Sequence, residues 1–221
     1  MKRVLIILSM AVVICGCSRS AKDKEQVMKI IAIPQIQRFI QRNELPYHEA
    51  ISTNNIKKWR VDFFEKRLGG TAYFQLTNSY SFDVWWDGTN SEIRNFNGED
   101  RPSFYLGDAS KAKIEAYKAL CLRNKLNDKT ALELIKHYFR LQGHREEDFR
   151  LMDFGPETWG EKGEPDYMAF PYYKATWYRK DIDPFGVPYG IEIPQVEIEI
   201  SGISSNMISY YKRGMPIGRD F

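Results

Sequence analysis

The spacing of apolar residues changes period along the chain. From Ala21 to Ile33 a charged stretch turns apolar, and Pro34 interrupts it. Ile36, Phe39 and Ile40 then share one face at helical spacing, which predicts a helix from Pro34 to about Asn43. Proline suits a first helical turn, and Leu45-Pro46 stops the helix. From Ile56 the period falls to two. Trp59, Val61 and Phe63 alternate with Arg60 and Asp62; Ala72, Phe74 and Leu76 alternate with Tyr73 and Gln75; Phe82, Val84 and Trp86 alternate with Asp83 and Trp85. Leu68-Gly69-Gly70, Asn78-Ser79 and Asp87-Gly88 mark the turns, and the last strand returns near Glu92 to Phe96. The expectation is one helix followed by a four-stranded antiparallel meander.

Residues 98–107, with Gly98, Pro102 and Gly107, read as a linker. Asp108 is placed to cap a helix to about Asn124 carrying Ile114, Tyr117, Leu120 and Cys121 on one face. Asn127 or Asp128 caps the next, whose apolar stripe is Leu134, Ile135, Tyr138 and Leu141 and whose stop is Gly143. Strands follow at Phe149 to Phe154, Tyr172 to Arg179, Val196 to Ile200 and Asn206 to Lys212. Gly155 to Asp166 and Asp181 to Gly190 read as exposed loops, because glycine, proline and acids crowd them.

Two passages match at a constant offset of 114 residues. Phe82-Asp83-Val84-Trp85-Trp86-Asp87-Gly88 aligns with Val196-Glu197-Ile198-Glu199-Ile200-Ser201-Gly202, and Ile93 and Phe96 align with Met207 and Tyr210. The expected fold is therefore α+β, with two tandem units, each a helix plus a three- or four-stranded antiparallel sheet. Residues 17–97 form the first unit, 98–107 the linker and 108–221 the second. The helix Ala131 to Leu141, Gly143-His144, the Tyr172 to Arg179 strand and the hairpin through Gly202 resemble the PepSY-like domains of exported bacterial proteins, over roughly residues 128–213. That resemblance implies a PepSY-like or cystatin-like fold and a non-catalytic role toward peptidases or other envelope proteins. It implies no catalytic residues.

The amino terminus changes the picture most. Met1-Lys2-Arg3 is basic, and Val4 to Ile14 is an uncharged run of 11 residues, too short to span a bilayer. Ile14-Cys15-Gly16-Cys17 followed by Ser18 resembles a bacterial lipoprotein signal, with residues 1–16 as the signal peptide. The resemblance implies cleavage before Cys17, acylation of the Cys17 sulfur, and an extracytoplasmic protein held at the cell membrane by lipid. Ser18 points to the outer membrane where the host has two. Loss of Lys2 and Arg3 lowers the formal charge from +3 to +1, so no global pull toward nucleic acid remains. With Cys15 removed and Cys17 acylated, Cys121 is left without a disulfide partner and reads as a buried helix residue. A mean hydropathy of −0.48 excludes a polytopic membrane protein.

The search for chemistry yields no Gly-rich phosphate loop, no His-Glu-x-x-His pair and no Gly-x-Ser-x-Gly elbow. His48 sits near Pro46, His137 lies off its helix stripe, and His144 opens a charged turn through Asp148. No catalytic residue, metal ligand or cofactor is assigned. The 5 Trp, 13 Tyr and 13 Phe are more informative. Alternation sends Trp59, Phe63, Phe74, Phe82 and Trp86 inward. It sends Arg60, Phe64, Tyr73, Gln75, Asp83 and Trp85 to the opposite face. A face mixing aromatics with charges suits a peptide or a sugar, so Tyr73, Trp85 and Arg60 are the candidate binding residues. The expected function is a non-enzymatic, lipid-anchored envelope protein that binds a protein or peptide partner through a sheet face. The alternative is an envelope hydrolase acting on a polymer with carboxylates from the 155–166 or 181–190 loops.

Overall fold

The structure, a computed structural model, describes residues 20–46, 51–65, 68–78, 80–88, 90–98, 126–159, 170–183, 186 and 193–214, with short helical pieces between 110 and 119. Cys15, Cys17, Cys121, His48, most of the 98–107 linker, the expected apolar face of the helix before Asn124, and most of residues 160–190 outside the strand at 170–179 lie outside the described residues. The fold is mixed α/β with strands in the majority, all the registered strand pairs being antiparallel. The chain divides between Asn95 and Phe96 into two compact units.

In the first unit the helix begins earlier than Pro34. Ser20 caps it: its hydroxyl accepts from the Asp23 N–H at 3.3 Å while the Asp23 carboxylate accepts the Ser20 N–H at 2.7 Å. Helix α1 (Ala21–Val27) runs through a π turn (Met28–Ala32) into α2 (Ile33–Arg42). This corrects the expected interruption at Pro34. Proline has no N–H and its ring presses on the carbonyl one turn back, which would break an α-helix. The π turn widens the ladder just before it, and the Ile33 N–H bonds the Met28 carbonyl five residues back. The helical run thus absorbs the proline. It buries Val27, Met28, Ala32, Ile36, Phe39 and Ile40 along one side.

Strands β1 (Ile56–Phe63), β2 (Gly70–Leu76), β3 (Ser81–Asp87) and β4 (Asn90–Asn97) follow, hydrogen-bonded in that order. Period-two burial is clean in β2 and β3: Ala72, Phe74, Leu76, Phe82, Val84 and Trp86 are all buried. Phe39 meets Phe82 edge-on at 6.1 Å, which fixes the helix on this face. The inward placement of Trp59 is corrected: it is 41% exposed. Register sets Trp59 across from buried Phe74, on the same face, but β1 is the outermost strand of this unit, and at the sheet edge the ring stays accessible to solvent.

The second unit starts with α3 (Asp128–Leu141), capped by the Asn127 side chain, which accepts from the Thr130 N–H at 2.9 Å. Gly143 closes it at φ +81°, a conformation that favours glycine. The buried stripe is Ala131, Ile135, Tyr138 and Phe139; Leu134 and Leu141 are only half-buried, which corrects the expected stripe by a fraction of a turn. Strands β5 (Phe149–Trp159), β6 (Phe170–Arg179), β7 (Gln195–Ser201) and β8 (Met207–Arg213) are bonded in the order β8-β7-β6-β5. Gly155 to Trp159 belongs to β5 and not to a loop. Pro156 is tolerated there because β5 has β6 on one side only within this unit. Phe139 packs on Trp177 at 4.5 Å and on Phe149 at 5.2 Å, joining α3 to the sheet.

Gly69 and Gly70 let β1, β2 and the Trp86 ring close together. Gly69 has φ +134°, and a Cβ on Gly70 would fall 2.1 Å from the Asp62 carbonyl oxygen and 2.6 Å from the Trp86 ring. Gly70→Ala is expected to cost about 1 to 3 kcal/mol by overpacking. Gly155→Ala, where a Cβ meets nothing within 4 Å, is expected to stay within about 0.5 kcal/mol of the parent. Paired thermal melts check this; equal losses would show that the contact around Trp86 relaxes freely.

Candidate functional site

The candidate residues Arg60, Tyr73 and Trp85 lie on one face of the first sheet, opposite the helix. Arg60 stands across from Tyr73, and Tyr73 across from Asp83. Trp85 stands across from Thr71, one rung further on the same side, a diagonal neighbour of Tyr73 at roughly 7 to 8 Å. Arg60 is exposed and pairs with Asp62 at 2.6 Å; Tyr73 and Trp85 are half-buried. Burial raises the Asp83 pKa, opposed by a hydrogen bond from Asn95 and by the Arg60 charge. Cys17 lies outside the described residues.

Sequence reading missed what surrounds Trp85. The Arg94 guanidinium sits 4.8 Å from the indole centroid, and Phe64 meets the ring edge-on at 5.9 Å. Arg94 is 6% exposed and ion-paired with Glu92. The indole is thereby held rigid by a cation on its face and an aromatic at its edge. Arg94 was legible as a charge near the hairpin return, but its burial was not, because strand alternation does not price a guanidinium stacked on an aromatic ring.

The second sheet carries a different face away from α3. Register places Glu157 beside Tyr172 and Ser201, and Lys174 beside Gly155, Glu199 and Ser209. Tyr172 Oη donates to Glu157, and the Lys174 ammonium pairs with Glu197 at 3.0 Å. Glu199 is 7% exposed. Desolvation pulls the Lys174 pKa down, but the Glu197 hydrogen bond and the charges of Glu197, Glu199 and Glu157 together raise it. This is a partly buried ionic network with one ammonium among three carboxylates, of which Glu199 is buried and Glu157 exposed. Of the loop acids considered for hydrolysis, Glu157 belongs to this network, and Asp181 is held by Arg179 through both carboxylate oxygens, one at 2.9 Å. Among the described residues no set of three or more His, Cys, Asp or Glu side chains is arranged to hold a metal ion.

His144 departs from its reading as part of a solvated turn. Arg145 to Asp148 do form an exposed charged turn, with Arg145 bonded to Asp148 at 2.7 Å. The His144 ring instead packs against Phe139 at 4.9 Å and Phe149 at 5.4 Å, and its Nε2 lies 3.2 Å from the Tyr210 hydroxyl. Burial, with a further contribution from the Lys212 charge, lowers its pKa from 6.5 to about 3. His137 is exposed, as its place off the helix stripe implies.

Two expectations follow. Trp86→Ala should cost about 3 to 5 kcal/mol, as for a large aromatic lost from a core. Trp85→Ala should cost only about 1 to 2 kcal/mol, the sum of an aromatic-pair and a cation–π contact; thermal melts that put the two variants level would show that both rings are core. For His144, the unfolded chain binds a proton near pH 6.5 and the folded chain only near 3. Stability contributed by the neutral ring is therefore full above 6.5 and is lost as pH falls from there toward 3. Between about pH 7.5 and about pH 5 the parent should lose about 1 to 2 kcal/mol more than His144→Gln, measured by urea melts. Identical pH slopes in the two proteins would contradict a buried neutral imidazole.

No protein-family model, no curated protein and no solved structure matches this chain, so the two sheet faces are read from their own chemistry.

Proposed function

We propose that this chain is an exported, lipid-anchored envelope protein of two tandem helix-plus-sheet units that holds a protein or peptide partner against the sheet face of its first unit. The observation that carries the binding reading is the rigidly held, half-buried Trp85 with Tyr73, Arg60 and Asp83 on the same face. A fixed aromatic ring beside charged groups loses little conformational freedom when a partner covers it, which is the usual character of an interface anchor. Export and anchoring through Cys17 rest on the signal-like first 18 residues. Among the described residues no helix is long and apolar enough to cross a membrane.

The tandem reading rests on three coincidences. Each unit runs from a helix into four strands, the hairpins at Gly88 and Gly202 each join the last two strands, and their sequences match at the 114-residue offset. A PepSY-like relationship of the second unit belongs to the same proposal. The hydrolase alternative would draw on acids of residues 155–166 or 181–190. Of these, Glu157 accepts from Tyr172 Oη and acts on the Lys174 charge, and Asp181 is engaged by Arg179, which favours structural ion pairs over a paired acid and base.

Cys17→Ala is expected to move the protein out of the membrane fraction and to abolish incorporation of an acyl label; full labelling of the variant would refute anchoring at this residue. In pull-downs from native envelope, Trp85→Ala should weaken capture of the partner by about 2 kcal/mol, roughly 30-fold, while remaining folded. Undiminished capture by folded Trp85→Ala would remove this face from the interface.

A further inference from the structure

The helical run of the first unit has two sides. Val27, Met28, Ala32, Ile36, Phe39 and Ile40 are buried on the side that packs on the strands. Lys22, Lys29, Ile30, Gln37, Arg38 and Arg42 are exposed on the other. Ile30 is 44% exposed, the highest value for a large apolar side chain among the described residues.

Charge is uneven along the same run. Ala21–Arg42 carries Lys22, Lys24, Lys29, Arg38 and Arg42 against Asp23 and Glu25, a net +3. Both carboxylates are engaged locally: Asp23 accepts at the Ser20 cap, and Glu25 pairs with Lys29 at 2.6 Å. From Ile33 to Arg42 the run has no acid. An apolar residue set among cations, on a helix whose opposite side is occupied, suits the headgroup layer of an anionic bilayer. Position in the chain points to the same partner. Cys17 stands four residues before Ala21, so an extended chain keeps the start of the helix within about 14 Å of the acylated residue.

We infer that the exposed side of the Ala21–Arg42 run is the membrane-facing side of this protein and lies on an anionic lipid surface, its cations over the headgroups and Ile30 among them. The inference rests on anchoring at Cys17 and goes beyond it, since a lipid fixes one point and leaves orientation free. A tethered helix meets the surface at high effective concentration, so an attraction too weak to recruit a free protein is enough to orient this one. Arg60, Tyr73 and Trp85 lie on the sheet face opposite the helix. That face is then turned away from the bilayer, toward a partner.

The test uses the lipidated protein in vesicles of phosphatidylcholine alone or mixed with phosphatidylglycerol. Flotation reads anchoring, and mass spectrometry reads the rate of lysine acetylation by a water-soluble reagent. Lys22 and Lys29 should react about threefold or more slowly on the anionic vesicles than on the neutral ones, and high salt should remove the difference. Lys58, exposed and across from Gln75 on the Trp85 face, should react equally on both. Lys22→Glu/Arg38→Glu, at two exposed positions, should restore the Lys29 rate while the protein still floats. Protein that floats with both vesicles but shows equal Lys22 and Lys29 rates overturns the inference and leaves anchoring intact. Protein that floats with neither has no anchor, and the inference falls with it. Slowing that grows with the number of copies per vesicle would make this side a contact between copies, and slowing at Lys58 instead would put the sheet face on the lipid; either result overturns it.

Discussion

An antiparallel sheet has two faces; the Ala21–Arg42 helical run packs on one face of the first unit's strands, and α3 on one face of the second unit's. Neighbouring residues of a strand must point to opposite sides. The face under the helix becomes a hydrocarbon core, and the other must be satisfied by polar and mixed contacts. Trp86 and Trp85 show the consequence at adjacent positions: one is buried beneath the helix, the other is clamped between Arg94 and Phe64. The two polar faces diverge from there. The first gathers an aromatic ring, a tyrosine and an exposed arginine; the second gathers three glutamates around one lysine.

That divergence sets the proposed binding face apart from the second face. A partly buried ion pair such as Lys174–Glu197 carries some desolvation cost, which good geometry must offset. Lys174 pairs with Glu197 directly and feels Glu199 and Glu157, so one ammonium is shared among three carboxylates. The first face is less closed on itself. Arg60 spends its charge on an exposed pair with Asp62, which is weak in water and easily exchanged for a partner's group.

His144 illustrates the same economy on the core side. At the end of α3 the ring fills space between Phe139 and Phe149 and still reaches the Tyr210 hydroxyl. A neutral imidazole serves both contacts; a protonated one would be a charge among aromatic rings with Lys212 nearby. The joint between helix and sheet is therefore tied to neutral pH by its own packing.

Sequence alone determined the elements whose pattern is local. Alternation placed Phe74, Phe82 and Trp86 in the core, Asn127 and Gly143 marked both ends of α3, and Gly88 and Gly202 marked hairpin turns, because side-chain parity and turn chemistry depend only on near neighbours. Tertiary structure decided the rest. It absorbed Pro34 into a helical run through a π turn, since the burial of Met28, Ala32 and Ile36 along one side rewards continuing the helix. It drew Gly155 and Pro156 into β5, since pairing with β6 outweighs their weak strand preference. It exposed Trp59 at a sheet edge, buried Arg94 against Trp85, and brought Glu157 beside Tyr172, contacts between residues whose separation along the chain leaves no periodic trace.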